Sequence, residues 1–448
     1  MRHITVLGGG PAGLAAGYYA RKSGLPFMIY EAAGHVGGNC ITFRHGDFFF
    51  DSGAHRFHNK LPDATRELQS LLGDDFRKIT APSSIFYKGK FIDFPLSPLN
   101  LLKTIGPSPV FKAVLELIAA RITRNKQNGS FKSFALNTYG ESIAEWFLLG
   151  YSEKLWGMPS DSLSPKIAGN RMKGLNLRTF IIESLLGQDA KTEHLDGSFY
   201  YPANGIGEIP EKLAEFCGVK NIRKAAKITK ILHGDDRILG IEVNGDEKID
   251  TDIVISTLPI DRLLQMMEPL PDEETVRLGK ALRYRHLILI VFFLDKDLVS
   301  ENASIYFPDP GFPFTRIHEP KQRSPLMSPS DKTSLVTEIP CQYENGVWNT
   351  EDEELIRLVS SKLIRTGLIR ESEIIDALAL RIPYAYPVLE LGFEENIVKI
   401  AEFLGGFKNL KLTGRNGRFI YSHIHDMMKM GKEIIEEFCA GDTHCNPV

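Results

Sequence analysis

Six consecutive residues near the start of the chain have the types and spacing to hold a pyrophosphate. Gly8-Gly9-Gly10-Pro11-Ala12-Gly13 fits G-x-G-x-x-G between the apolar run Ile4-Thr5-Val6-Leu7 and a small-residue stretch that patterns as a helix to Ser23. In such a turn Gly8 allows the tight bend, Gly10 admits a phosphate close to the backbone, and Gly13 lets helix and strand touch. Pro11 and Ala12 open a helix whose N-terminal N–H groups and positive dipole end favour an anion. Glu31 closes a second strand-like run, Phe27-Met28-Ile29-Tyr30, 18 residues beyond Gly13. A carboxylate at that point can accept both hydroxyls of a ribose. The set points to a dinucleotide; the plainer alternative is a glycine-rich turn with a surface glutamate.

A second glycine pair follows in Gly37-Gly38-Asn39, and then Asp51-Ser52-Gly53-Ala54-His55. Paired glycines so soon after the acid suit a second close backbone approach to the ligand, which a simple nicotinamide domain does not need. At these residues the chain resembles the flavin enzymes that include amine oxidases, protoporphyrinogen oxidase and UDP-galactopyranose mutase. The resemblance implies FAD, held by the first glycine loop, Glu31 and Gly37-Gly38-Asn39. It extends to Tyr201-Pro202-Ala203-Asn204-Gly205-Ile206-Gly207, similar to a Y-P-x-G-G-type segment. It also implies that Ile228 lies near the adenine and that Thr413-Gly414-Arg415-Asn416-Gly417-Arg418 is the closing FAD loop.

The match to the mutases is closer than to the oxidases and runs along most of the chain. Gly53-Ala54-His55-Arg56-Phe57-His58 is similar to their G-x-H-x-F-x-H loop, which implies that His55 stands beside the flavin ring. Tyr151-Ser152-Glu153-Lys154-Leu155-Trp156-Gly157 looks like their uridine-binding Y-x-x-K-x-W segment. Asn170-Arg171-Met172 and Pro313-Phe314-Thr315-Arg316 resemble the segments carrying their diphosphate-binding arginines. Tyr306-Phe307-Pro308, Tyr384-Ala385-Tyr386-Pro387 and Arg415 to Tyr421 complete the pattern. The resemblance implies that His55, Arg171 and Arg316 serve the reaction and that Ser152, Trp156, Tyr306, Tyr386, Tyr421 and His425 contact substrate. It implies isomerisation of a nucleotide-linked sugar between pyranose and furanose through reduced flavin N5, with no net redox change.

Those residue types suit a sugar nucleotide. Two guanidiniums offer a diphosphate fork geometry that lysine lacks. Trp156 offers a flat face to a base or sugar, and the phenols can donate to phosphate oxygens. Plainer readings stand beside these. His55 is alternatively a core histidine, Arg171 a partner of Asp161, Trp156 a buried anchor and Tyr386 a core residue. Arg316 is alternatively one member of a solvated charge cluster with Lys321 and Arg323. The mutases carry Asn where this chain has Ser152 and His425, and the bacterial ones carry tyrosines where it has Phe419 and Ser422. A site built on hydrogen bonds discriminates strongly when one is missing, so the sugar is left open. An oxidoreductase that passes hydride from an amine or carbon substrate to flavin is the alternative activity.

These residues require an α/β scaffold. The expected fold is a Rossmann-like FAD-binding domain made of residues 1–58, 200–265 and 400–448. Residues 59–199 form a mainly helical insertion. A mixed-sheet substrate domain spans 266–399, with the Pro-rich stretch 308–329 as an ordered loop or flap over the site. The 448 residues carry 53 Lys and Arg against 56 Asp and Glu, a net −3, with 43% hydrophobic residues. That balance excludes disorder as the main state and gives no basic excess for bulk binding to nucleic acid. The longest later apolar run, Leu287 to Leu294, is far short of the ~20 residues that span a bilayer. Five cysteines show no CxxC pair or metal-ligand spacing, which suits free thiols in a reducing compartment. With Met1-Arg2-His3 leading straight into the first strand, the expected location is cytoplasmic and the expected partner a small-molecule substrate.

Overall fold

The structure, a computed structural model, describes residues 3–94, 96, 98–123, 129–168, 198–343 and 346–440. β1 (Ile4–Leu7) is buried at all four positions, as a strand covered on both faces must be. It turns through the glycines into α1 (Pro11–Lys22) and β2 (Phe27–Tyr30). A hairpin of β3 (Thr42–His45) and β4 (Phe48–Asp51) is followed by α2 (Pro62–Leu72), β5 (Phe76–Thr80), β6 (Ser83–Tyr87) and β7 (Lys90–Phe94). Next come α3 (Pro98–Thr104), α4 (Pro107–Thr123), α5 (Phe131–Ile143), a π-helical turn over Ala144–Leu149 and α6 (Gly150–Trp156). β8 (Ser198–Pro202) and α7 (Glu208–Cys217) lead into β9 (Ile222–Arg223), β10 (Ile228–His233), β11 (Ile238–Val243), β12 (Glu247–Asp250) and β13 (Ile253–Ser256). Then follow α8 (Ile260–Met266), β14 (Met267–Glu268), α9 (Glu273–Ala281), β15 (Tyr284–Leu294), β16 (Ser304–Tyr306), β17 (Arg316–His318) and β18 (Thr333–Cys341). The described chain closes with α10 (Asp352–Thr366), β19 (Ile374–Pro387), α11 (Phe393–Gly405), β20 (Leu410–Leu412), α12 (Gly414–Gly417) and α13 (Ile424–Cys439).

Two sheets set the architecture. The first has the order β20-β13-β1-β2-β9 and is parallel throughout. Its carboxyl edge at Leu7 is where an open α/β sheet binds ligand. α1 lies against α13, and the approach is so close that a Cβ on Gly431 would stand 2.9 Å from the backbone of Ala15. The second sheet has seven strands in the order β19-β15-β18-β17-β16-β6-β7. One face carries Ile288, Ile290, Phe292, Leu335 and Ile339, buried with Leu355, Val359 and Leu363 of α10. The other carries Leu287, Leu289, Val291 and Phe293, packed on Phe48 and Phe50 of β4. That contact ties the hairpin after the nucleotide fold to the sheet that walls the site.

The α/β fold with its nucleotide-binding core is as expected, and two details differ from the sequence reading. The described part of segment 59–199 is rich in helix but also carries β5, β6 and β7, and the last two complete the seven-stranded sheet. Stretch 308–329, expected as an ordered loop or flap, is loop and short helical turns around the three-residue strand β17, which is hydrogen-bonded between β16 and β18. Short turn-bounded strands inside helical patterning give little periodic signal. Among the described residues no helix is long and apolar enough to cross a membrane.

Candidate functional site

The glycine turn is shaped by what it must avoid. Gly8 has φ +105°, and a Cβ there would sit 2.2 Å from Thr257 Oγ1. A Cβ on Gly13 would fall 1.9 Å from the Gly8 carbonyl oxygen, so α1 could not reach β1 with any side chain at this position. Gly10 is the extended N-cap of α1 and no side chain caps the helix, so its first N–H groups are left to an outside acceptor. Glu31 is fixed at the rim, with Oε2 accepting the Gly9 N–H at 2.7 Å and Oε1 accepting the Ala33 N–H at 2.8 Å. Gly38 lies against Gly10, and the Gly37 N–H donates to the Gly9 carbonyl at 2.9 Å. Asn39 anchors this loop to the second sheet by donating to the carbonyls of Pro383 and Tyr384. Gly414 closes on Ala12 from the other side.

These elements line one cavity of about 1410 Å³ that runs from Glu31 and Lys227 to Trp156 and Tyr306. A backbone cradle that a Cβ would fill, an uncapped helix start and a carboxylate beyond them fit a flavin dinucleotide. Gly8, Gly10, Pro11, Ala12, Glu31, Gly38, Asn39, Gly414 and Arg415 line the cavity and would hold FAD. Gly13 and Gly37 support the loops from behind. Ile228, expected near the adenine, is buried in the core of β10, and Lys227 lines the cavity at that point.

The far end is built by β16, β17, β19 and α6. Asp51, 1% exposed, accepts from Tyr201, Thr42 and the Ile206 N–H, and so fixes the turn that carries His55. His55 lines the cavity with Nε2 3.3 Å from Ser52 Oγ. Burial, with Arg415, Arg323 and Arg316 around it, pushes its pKa down to about 3, so the imidazole is neutral. Arg316 is not in a solvated cluster: it is largely buried in β17, and Arg323 is 3% exposed. The Arg316 Nε and Nη2 donate to both oxygens of Glu338, 1% exposed on the neighbouring strand β18, which leaves Nη1 outside that pair. Glu338 Oε1 also accepts the Ala54 N–H at 2.8 Å, linking this pair to the His55 turn.

Tyr306 is the cross-strand neighbour of Arg316. Trp156 is 3% exposed, edge-on to Tyr386 and Tyr421 at 5.9 and 6.1 Å, so these rings form a box at the cavity wall. Arg415 lies over both tyrosine rings and donates to the carbonyls of Ser422 and Ala385. Its role is thus to brace the closing loop as well as to border the cavity. Ser152 lines the cavity from α6. His425, expected at the phosphates, is turned into the core against Phe57, and His423 borders the cavity in its place. The two imidazole rings stack at 5.4 Å, with His425 on the buried side. Arg171 lies outside the described residues.

Several lining residues went unassigned from sequence. Arg56, His58 and Lys60 alternate along an extended segment and all three border the cavity; their period of two was the available signal. Glu338 had none, since its partner is 22 residues away across a strand pair. Among the described lining residues six are Lys or Arg, whereas Glu31 is the single carboxylate. Glu338 behind Arg316 offsets one of those charges, and the remaining cations leave an excess that favours an anion.

The model of the family described as flavin containing amine oxidoreductase matches residues 11–368. Coproporphyrinogen III oxidase of Bacillus subtilis is 20% identical, covering 97% of this chain and 97% of its own. Protoporphyrinogen oxidase 1 of Spinacia oleracea chloroplasts is 22% identical over 92% of this chain and 79% of that protein. Among solved structures, reduced UDP-galactopyranose mutase superposes with a TM-score of 0.86 at 19% identity, over 99% of this chain and 96% of that one. Putrescine oxidase bound to putrescine gives 0.66 at 14% identity, over 98% and 99%. At these identities the structures speak to fold. With most of its length matched by the family model, the chain belongs to the flavin containing amine oxidoreductases.

Proposed function

We propose that this flavoenzyme acts on a nucleotide-linked sugar, interconverting pyranose and furanose forms with its FAD reduced. The observation that carries the reading is Arg316 at the far end of the cavity, beside Tyr306 and Tyr386, with Nη1 outside its Glu338 pair and no carboxylate among the described residues that line that end. A diphosphate is the ligand such a wall attracts, and a protonated amine is the ligand it repels. Reduced FAD supplies the nucleophile in this chemistry. Arg316 takes up phosphate charge through the guanidinium edge that Glu338 leaves, and Tyr306 and Tyr386 donate to phosphate oxygens. The ring box of Trp156, Tyr386 and Tyr421 excludes water and orients the sugar or base. His55, held neutral, borders the reacting region without adding a charge.

The test is a binding screen of UDP, dTDP and GDP sugars against oxidised and dithionite-reduced holoenzyme, with product isomers analysed. Tight binding in the reduced state and an isomerised product are expected; no binding of any nucleoside diphosphate sinks the proposal. A second reading, hydride transfer from a bulky amphipathic anion to FAD, draws support from the apolar wall of Phe94, Phe131, Phe147 and Leu148 and from the full-length likeness to coproporphyrinogen III oxidase. It requires the flavin to bleach with substrate under anaerobic conditions.

A further inference from the structure

Lys154 sits between two cavity-lining residues of α6, Ser152 and Trp156, yet does not itself line the cavity. Its ammonium donates to three main-chain carbonyls: Phe307 at 2.7 Å, Asp309 at 2.8 Å and Phe314 at 2.9 Å. All three belong to the connection between β16, which ends in Tyr306, and β17, which begins with Arg316. An ammonium has three donors, so the full capacity of this one is used on a single segment. The segment adds an aromatic knot of Phe307, Phe312 and Phe314.

The same C-terminal end of α6 is fixed from a second side as well. Arg285, 3% exposed, donates to the carbonyls of Leu155, Lys154 and Pro340, which joins the last turn of α6 to β18. Gly157 makes room for it: a Cβ there would lie 2.4 Å from the guanidinium. With the helix end held by Arg285, the Lys154 side chain determines where the tip of the β16–β17 hairpin rests against α6.

We propose that Lys154 is a positioning residue that sets the spacing between the two walls of the substrate end, α6 with Ser152 and Trp156, and the hairpin with Tyr306 and Arg316. It acts through three backbone carbonyls and touches no reacting atom. A hydrophobic residue of the same length would keep the packing and remove the three donors. The base of the segment would keep the Phe307 and Thr315 N–H bonds to the Thr315 and Glu338 carbonyls and the packing of its phenylalanines on Phe86, while its tip around Asp309 would loosen. The inference rests on the sugar-nucleotide reading only in its choice of UDP as probe.

The experiment compares FAD-loaded wild type, Lys154→Met and Lys154→Arg by amide hydrogen exchange and by UDP titration of the reduced protein. In Lys154→Met, exchange at the tip around Asp309 should rise about tenfold and UDP should bind about tenfold more weakly. FAD content and the flavin spectrum should stay at the wild-type level. Lys154→Arg, which keeps a cation and donors, should recover most of both losses and remains usable if the Met variant folds poorly. Unchanged exchange in both variants overturns the proposal. So does looser exchange with unchanged UDP affinity, because the clamp would then be structural only. If wild type binds no UDP, the sugar-nucleotide reading falls while the exchange comparison still decides whether Lys154 holds the hairpin.

Discussion

Replacing Glu338 by Gln should lower stability and raise anion affinity at the same time. The carboxylate is buried, receives three N–H contacts of 2.6 to 3.0 Å from Arg316 and a fourth from Ala54. Glutamine keeps one acceptor oxygen but turns an NH₂ towards donors and leaves the guanidinium without a counter-charge. Removing one partner of a buried pair costs about 3–5 kcal/mol; the retained oxygen places this change near the lower end, at about 3 kcal/mol. For 448 residues an unfolding entropy of about 2.1 cal/mol/K per residue gives about 0.9 kcal/mol/K, so the melting temperature should fall by about 3 °C. If unfolding proceeds in steps, the transition that includes the seven-stranded sheet carries the loss. UDP, titrated against the reduced holoenzyme by flavin absorbance, should bind about tenfold more tightly, because an opposing charge has left the wall. A fall in both quantities together refutes the assignment of Arg316 to a ligand and makes the pair purely architectural.

His55, with its pKa pushed down to about 3, binds fewer protons than the unfolded chain between that value and its ordinary range near 6.5. Its contribution to stability is therefore present above pH 6.5 and is lost as pH falls towards 3. His55→Asn should flatten the decline of melting temperature over that window, and an unchanged slope would count against a buried neutral ring. Gly13→Ala drives a methyl group into the Gly8 carbonyl, so purified protein should retain little FAD by its absorbance near the flavin maxima. Arg285→Met removes three hydrogen bonds from the end of α6 and from β18. It should weaken UDP binding and, at about 1 kcal/mol per bond, lower the melting temperature by about 3 °C in a thermal scan.

The dinucleotide end was legible in the sequence because its constraints are local. A glycine turn, a strand before it and an acid after it lie within one βαβ unit, so the motif shows in the chain order even though Thr257 and Gly414 close on it from afar. The far end was legible only as residue types. Arg316 was recognisable, but its burial depends on Glu338, which a strand pairing brings to it. Arg323 reads as a solvated charge beside Lys321 in sequence and is buried beneath Tyr201 in the fold. His425 and His423 differ by two residues on the first turn of a helix, and only packing against Phe57 decides which one reaches the cavity. β6 finds its partner β16 more than two hundred residues away, and β7 pairs only with β6 across a short local turn, so neither strand shows a period long enough to read.

The strand order of the nucleotide sheet bears on how the protein is made. β1 is the first strand synthesised, yet its neighbour β13 arrives some 250 residues later, and β20 is added beside β13 only near residue 410. Gly414, which closes on Ala12, comes later still. A ribosome that has made the first half of the chain has therefore released a phosphate turn with no completed sheet behind it. Cofactor capture must wait until nearly all of the chain has emerged, and apolar strands such as β15, buried at every position, need protection in the interval. Free FAD in a translation reaction should accordingly rescue yield only after chain release, and nascent chains stalled before residue 410 should remain without flavin.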